Sequence, residues 1–285
     1  EILIGLVGSE MCIRDRVSRI IIIILLILVA FIMMVPFIWM VLGSVKMKSE
    51  LFAVPLKWLP EKPVWKNYSD VFEKVPFMLF YWNTAKVAVL ATLGQVLTCA
   101  LSAYAFTKLE FKGRDVLFIF YLATLMIPGQ VTMVPQYELM NNLGLLNNHW
   151  TLILLRWFSP FGVFLLRQFF VSIPDSLVEA ARIDGAREVK IFAGVICPLA
   201  KPAFATLTTL TFLNAWNEFM GPLIFLNEKS KFTLQMGIRY FQQMFGTEYT
   251  LIMASTTMSL IPILVIYMCA QKYFIEGIAA SGIKG

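Results

Sequence analysis

Arg19-Ile20-Ile21-Ile22-Ile23-Ile24-Leu25-Leu26-Ile27-Leu28-Val29-Ala30-Phe31 opens a stretch that carries no charge again until Lys46. A helix rises 1.5 Å per residue, so about 20 residues cross about 30 Å of hydrocarbon. Residues 20–45 exceed that length. A helix this apolar on every side has no polar face to offer water, so the stretch is read as a membrane span.

Working outward, residues 87–107, 116–137 and 249–271 form three more charge-free windows. Residues 150–170 qualify apart from Arg156 and Arg167, and residues 202–226 apart from Glu218. The expected fold is therefore an all-α membrane protein with about six transmembrane helices. Pro36, Pro128, Pro160, Pro222 and Pro262 fall inside these windows. Membrane helices tolerate proline because neighbours satisfy the freed carbonyls. Composition agrees, with 59% hydrophobic and 15% charged residues, against about 25% charged in a soluble domain.

Residues 1–16 read differently. Their apolar opening is too short to span, and Arg14-Asp15-Arg16 separates it from residue 20 onward. They are expected to be a spurious or disordered leader, with residues 17–285 forming a single transmembrane domain.

Cytoplasmic connectors of membrane proteins collect Lys and Arg. Connector 106–115 carries Lys108, Lys112 and Arg114; connector 171–201 carries Arg182, Arg187, Lys190 and Lys201; connector 138–149 carries neither residue type. Both termini and connector 171–201 are thus placed in the cytoplasm. Connector 43–80 runs against this trend, with six lysines against four acids, but several of those charges lie far from a span end and acids are interspersed.

Several function classes drop out. The net charge of +6 is what basic inner loops produce, and no basic patch interleaved with aromatics points to nucleic acid. The four cysteines form no C-x-x-C pair and His149 is the only histidine, so no His-rich metal site can be built. No Gly-Lys pair occurs, so the chain has no P-loop. An intramembrane enzyme would need paired acids or a nucleophile with its base, whereas the spans carry isolated Arg156 and Glu218. The chain is expected to be no enzyme and to bind no cofactor or metal.

Connector 171–201 is the most informative one. Pro174 and Asp175 open a short helix, and Ser176-x-x-Glu179 fits a capping box. Leu177, Ala180, Ala181 and Asp184 recur at helical spacing. Gly185 can take the left-handed conformation that ends a helix, and a second helical stretch follows over 187–194. Ala180 and Ala181 give a close-packing surface, flanked by Glu179 and Arg182. Such a unit suits docking in another protein's groove. An amphipathic helix resting on lipid, or simple packing beneath the bundle, fits the same residues.

The pattern Glu179-Ala180-Ala181, then Gly185, then Val195-Ile196-Cys197-Pro198 resembles the EAA signature of permease subunits of ATP-binding cassette importers. Val195 and Cys197 depart from that pattern mildly. Residues 164–170, 212–218 and 277–285 are similar to the carbohydrate subfamily, close to the second permease of maltose-type systems. The resemblance implies a coupling role for Glu179, Ala180, Ala181, Arg182, Asp184, Gly185 and Pro198. It also implies a sister permease in a heterodimer, two ATPase subunits that hold the ATP and Mg, an external solute-binding protein, and a sugar substrate. The setting would be the bacterial inner membrane.

An ionisable group inside a span costs about 2.5–3.5 kcal/mol on insertion scales. Arg156 and Glu218 should lie about 8 Å and about 12 Å below the outer ends of their spans. Two roles suit them: lining the solute path with Asn214, Trp216 and Asn217, or pairing with each other. Phe232, Tyr240, Phe241 and Phe245 in the outer loop are candidates for contact with the binding protein or for interfacial anchoring. A secondary transporter or channel remains the alternative and would need no docking helix.

Overall fold

The structure, a computed structural model, describes the backbone of residues 2–243 and 247–282 and the side chains of residues 19–242 and 247–272. Helix α1 (Ile2–Ser44) runs straight through Arg14-Asp15-Arg16. The triplet ends an apolar run but not a helix, because arginine is a good helix former. Between residues 20 and 41 the large apolar side chains of α1 are exposed apart from half-buried Val35, Trp39 and Met40, as expected of a helix solvated mainly by lipid.

Connector 43–80 folds over the end of α1 with α2 (Lys48–Leu51) and α3 (Lys66–Lys74). Asn67 Nδ2 donates to the carbonyls of Ser44 and Lys46 at 2.8 and 2.9 Å. Lys46 is itself buried; its ammonium donates to the Lys57 carbonyl and lies 4.3 Å from the Trp39 ring centroid.

Helix α4 (Phe77–Lys108) is the central element. It begins ten residues before the charge-free window because Lys86 interrupts hydropathy without interrupting the helix. Ala88, Ala91, Ala100 and Ala103 are fully or almost fully buried along it. Small side chains at this spacing let neighbouring helices approach closely, which is where dispersion attraction is gained in lipid. A Cβ on Gly94 would meet Trp157 Nε1 at 1.9 Å, so only glycine fits there.

Helices α5 (Arg114–Ala123) and α6 (Gly129–Asn142) follow, then α7 (His149–Arg156) and α8 (Pro160–Val171). The connecting unit comprises α9 (Asp175–Ile183), α10 (Glu188–Ile191), a π-helical turn (Phe192–Ile196) and α11 (Cys197–Leu199). The chain ends in α12 (Lys201–Trp216), α13 (Met220–Phe225), α14 (Leu234–Gln243) and α15 (Tyr249–Gly282).

Among the described residues, Arg19–Ser44, Phe77–Lys108, His149–Val171 and Tyr249–Lys272 are long and apolar enough to span. Arg114–Met126 with Gly129–Asn142, and Glu188–Leu199 with Lys201–Trp216, are pairs bent by 101° and 83°. Counting each pair as one span gives six. The fold class is therefore an all-helical membrane protein, as expected, but its geometry corrects the picture of straight rods. The fifth span was expected to be continuous over 202–226; it stops at Trp216 and resumes as α13 at Met220. The fourth breaks between Arg156 and Pro160.

The breaks survive because α4 and local side chains satisfy the freed backbone groups, as a dry environment requires. Thr98 Oγ1 donates to the Trp157 carbonyl at 2.6 Å, and Ser159 Oγ accepts from Gly162 N at 3.2 Å. At the second break, Glu218 Oε1 accepts from Gly221 N at 3.1 Å.

Candidate coupling helix and solute path

The coupling unit is built as two short helices about a glycine turn. Gly185 has φ +78°, in the left-handed region that favours glycine. Its N–H bonds the Arg182 carbonyl and the Ala186 N–H bonds the Ala181 carbonyl, both at 3.0 Å. The expected capping box does not form: α9 already includes Asp175, and its N-cap is Pro174, without a side-chain cap bond. Lys108 recruits Asp175 instead. Its ammonium donates to Asp175 Oδ1 at 2.6 Å and to the Ile173 carbonyl at 2.7 Å. The ammonium holds the Asp175 carboxyl below the usual carboxylate range.

Helix α9 divides into two faces. Val178 is buried in a cluster that also holds Ile191 and Ile196, and Ala181 packs against that cluster. Leu177, Glu179, Ala180, Ile183 and Asp184 are exposed, Ile183 at 86%. Val189 beyond the turn is exposed at 79%. Pro198 is exposed within α11.

Arg182 makes charged contacts within the chain. Its guanidinium folds back onto the bundle: Nε donates to Glu188 Oε1 at 2.8 Å and Nη2 to the Lys108 carbonyl at 3.0 Å. The ion pair with Glu188 raises the Arg182 pKa.

In the membrane half, Arg156 at the end of α7 meets Glu218 in the break after α12. Arg156 Nη2 forms an ion pair with Glu218 Oε2, and Nη2 also lies 3.4 Å from the Asn214 carbonyl. Two cavities of about 400 and 330 Å³ flank this pair, and both are lined by Leu155, Arg156 and Glu218. The larger adds Gln95, Ser159, Thr211 and Asn214 beside Phe158 and Phe161. The smaller adds Gln130, Thr132 and Gln136 from α6. Amides, hydroxyls and ring faces around one neutralised ion pair make a wall for a polar, uncharged surface with apolar patches.

Two expected path residues lie elsewhere. Trp216 is 1% exposed, stacks on Phe212 at 5.5 Å between ring centroids, and donates Nε1–H to the Ser259 carbonyl at 3.1 Å. Two residues along a helix turn the side chain by about 200°, so Trp216 points away from the cavity that Asn214 lines. Asn217 is exposed; its Nδ2 donates to the Leu213 carbonyl at 3.0 Å and its Oδ1 accepts from Gln235 Nε2 at 3.2 Å. Phe158 and Phe161 supply the aromatic faces instead. Gln95, Thr211, Gln130 and Gln136 were visible in the sequence as polar residues inside apolar windows, a signal that points to an interior face.

Of the loop aromatics, Phe241 is fully buried and Phe232 packs near Phe80 at 6.3 Å. Tyr240 lies under the Lys229 ammonium at 5.0 Å. Phe245 lies outside the described residues. Among the described residues no group of three His, Cys, Asp or Glu side chains is placed to hold a metal.

A family model described as "Binding-protein-dependent transport system inner membrane component" matches residues 95–279. That stretch holds the coupling unit, both helix breaks and most of the cavity wall, so the class is a transport permease and not an enzyme. The chain belongs to the family of binding-protein-dependent transport system inner membrane components, the permease subunits of ATP-binding cassette importers. It is 32% identical over 260 residues to the arabinooligosaccharides transport system permease protein AraQ of Halalkalibacterium halodurans, covering 90% of this chain and 93% of the relative. It is 34% identical to the sulfoquinovosyl glycerol transport system permease protein SmoH of Agrobacterium fabrum (88% of each chain). It is also 34% identical to the sn-glycerol-3-phosphate transport system permease protein UgpE of Yersinia pestis (82% and 86%). Among solved structures, a chain of a bacterial ABC transporter involved in the import of the acidic polysaccharide alginate superposes with TM-score 0.80 at 28% identity, covering 91% of this chain and 97% of that one.

Proposed function

We propose that this permease moves a sugar, polyol or related polyhydroxy solute across a bacterial inner membrane. It works as one half of a heterodimer with a sister permease. Two ATPase subunits dock on α9 and its flanks, and an external binding protein delivers solute at the opposite end, beside the outer loop. The chain termini and α9 face the cytoplasm. The observation that carries this reading is the outward face of α9. An isoleucine at 86% exposure, with Leu177, Ala180 and Val189 also exposed on the same unit, is an apolar knob that suits a protein groove. The sugar assignment rests on the cavities, where Phe158 and Phe161 and several amide and hydroxyl side chains line the walls beside the Arg156–Glu218 pair. The transport relatives named for oligosaccharide and glycerol-type solutes agree with it.

The test is ATP-driven uptake in vesicles containing the whole assembly, with native chain against a Glu179→Lys/Gly185→Pro variant that still inserts. Loss of uptake together with loss of ATPase co-purification is expected. Uptake and ATPase retention at native levels would overturn the placement of ATPase docking on α9.

A further inference from the structure

Docking alone does not move a solute; the displacement of α9 must reach the cavity wall. Helices α8 and α12 join the two by the chain itself and by apolar packing; α4 joins them through charged side-chain bonds. At its lower end α4 grips the coupling unit at two places. Lys108, whose side chain is 3% exposed, binds Asp175 and the Ile173 carbonyl at the start of α9. Tyr104 OH donates to Glu188 Oε2 at 2.5 Å, and Glu188 in turn holds Arg182, which reaches back to the Lys108 carbonyl. The Tyr104 ring packs on Phe192, 5.3 Å between centroids. Both ends of α9 are thus fastened to one turn of α4 through charge-assisted hydrogen bonds, the stronger kind.

Higher up, the same helix carries Thr98, whose hydroxyl holds the Trp157 carbonyl in the break next to Arg156. One turn further lies Gln95, in the cavity wall. Lys108 and Gln95 are about 20 Å apart along an unbroken helix.

We infer that Tyr104 and Lys108 are positioning residues for transport: they clamp the coupling helix to α4, which carries its displacement as a rigid rod to the Trp157 break and the Arg156–Glu218 pair. The inference rests on the importer reading. It assigns Arg182 and Glu188 to the internal clamp, leaving Glu179, Ile183 and Val189 for the ATPase.

Lys108→Met keeps most of the side-chain volume and leaves Asp175, whose side chain is 77% exposed, to water. Tyr104→Phe removes one hydroxyl and keeps the ring. The measurement is solute moved per ATP hydrolysed in vesicles, alongside ATPase co-purification. Lys108→Met and Tyr104→Phe are expected to retain the ATPase subunits and basal hydrolysis, while the ratio falls about tenfold and about threefold, the scale of losing one charged hydrogen bond or less. Lys108→Arg, which restores a cation and its donors, should recover most of the ratio. An unchanged ratio in both variants beside a transporting native assembly overturns the clamp alone. Loss of ATPase subunits in both would reduce the contacts to a fastener of the docking unit and overturn transmission. A native assembly without ATP-driven uptake overturns the importer reading and this inference with it.

Discussion

Replacing Arg156 by methionine tests the heart of the membrane half. The native guanidinium pairs with Glu218 and reaches toward the Asn214 carbonyl. Without it, Glu218 keeps the Gly221 N–H but loses its counter-charge. Breaking a fully buried pair costs about 3–5 kcal/mol. The side chains here are 22% and 31% exposed, so water screens part of that loss and the expected cost is about 2 kcal/mol. Glu218→Met strands the arginine at a similar cost. The double variant strands nothing and should lie within about 1 kcal/mol of native, which makes the coupling energy about 3 kcal/mol. The assay is unfolding in detergent followed by thiol labelling of Cys99, 1% exposed in the fold, in a background without the other cysteines. The double variant should regain stability but not uptake, since both cavities lose their shared polar edge. A double variant as unstable as either single would refute the pairing argument. So would singles with native stability.

Three further outcomes are expected. Ile183→Ser removes the exposed knob of α9; burying an isoleucine is worth about 1.5–3 kcal/mol, so ATPase affinity in a co-purification titration should fall about 10- to 100-fold while unfolding of the isolated chain stays unchanged. Trp216→Phe forfeits the Nε1–H bond to Ser259, worth about 1 kcal/mol; it should lower thermal stability and leave the solute KM of uptake unchanged, and a changed KM would return Trp216 to the path. Gly94→Ala places a Cβ 1.9 Å from Trp157 Nε1; overpacking of this kind costs about 1–3 kcal/mol, and because the displaced ring belongs to the break, uptake should fall with stability.

Hydrophobicity, loop charge and one connector carried most of the identification. Lipid leaves the backbone few options, so long apolar windows declare themselves as helices whatever packs beside them. The candidate docking unit was legible for a local reason: Gly185 must reach φ +78°, and a helix that stops at a glycine and starts again is written in a dozen consecutive residues. Hydropathy, however, reports depth in the bilayer and not the direction a side chain faces. Asn214 and Trp216 lie at nearly the same depth, and only the packing of α12 against α4 and α15 decides that one lines the cavity and the other the core. The partners of Arg182, Glu188 and the Lys108 carbonyl, could not be read beside the EAA triplet because they are set by how α9 lies across the end of α4. The span breaks were hidden for the same reason. A helix can end in hydrocarbon only where another element supplies the missing hydrogen bonds, and here Thr98, distant in sequence from Trp157, makes the break in the fourth span tenable.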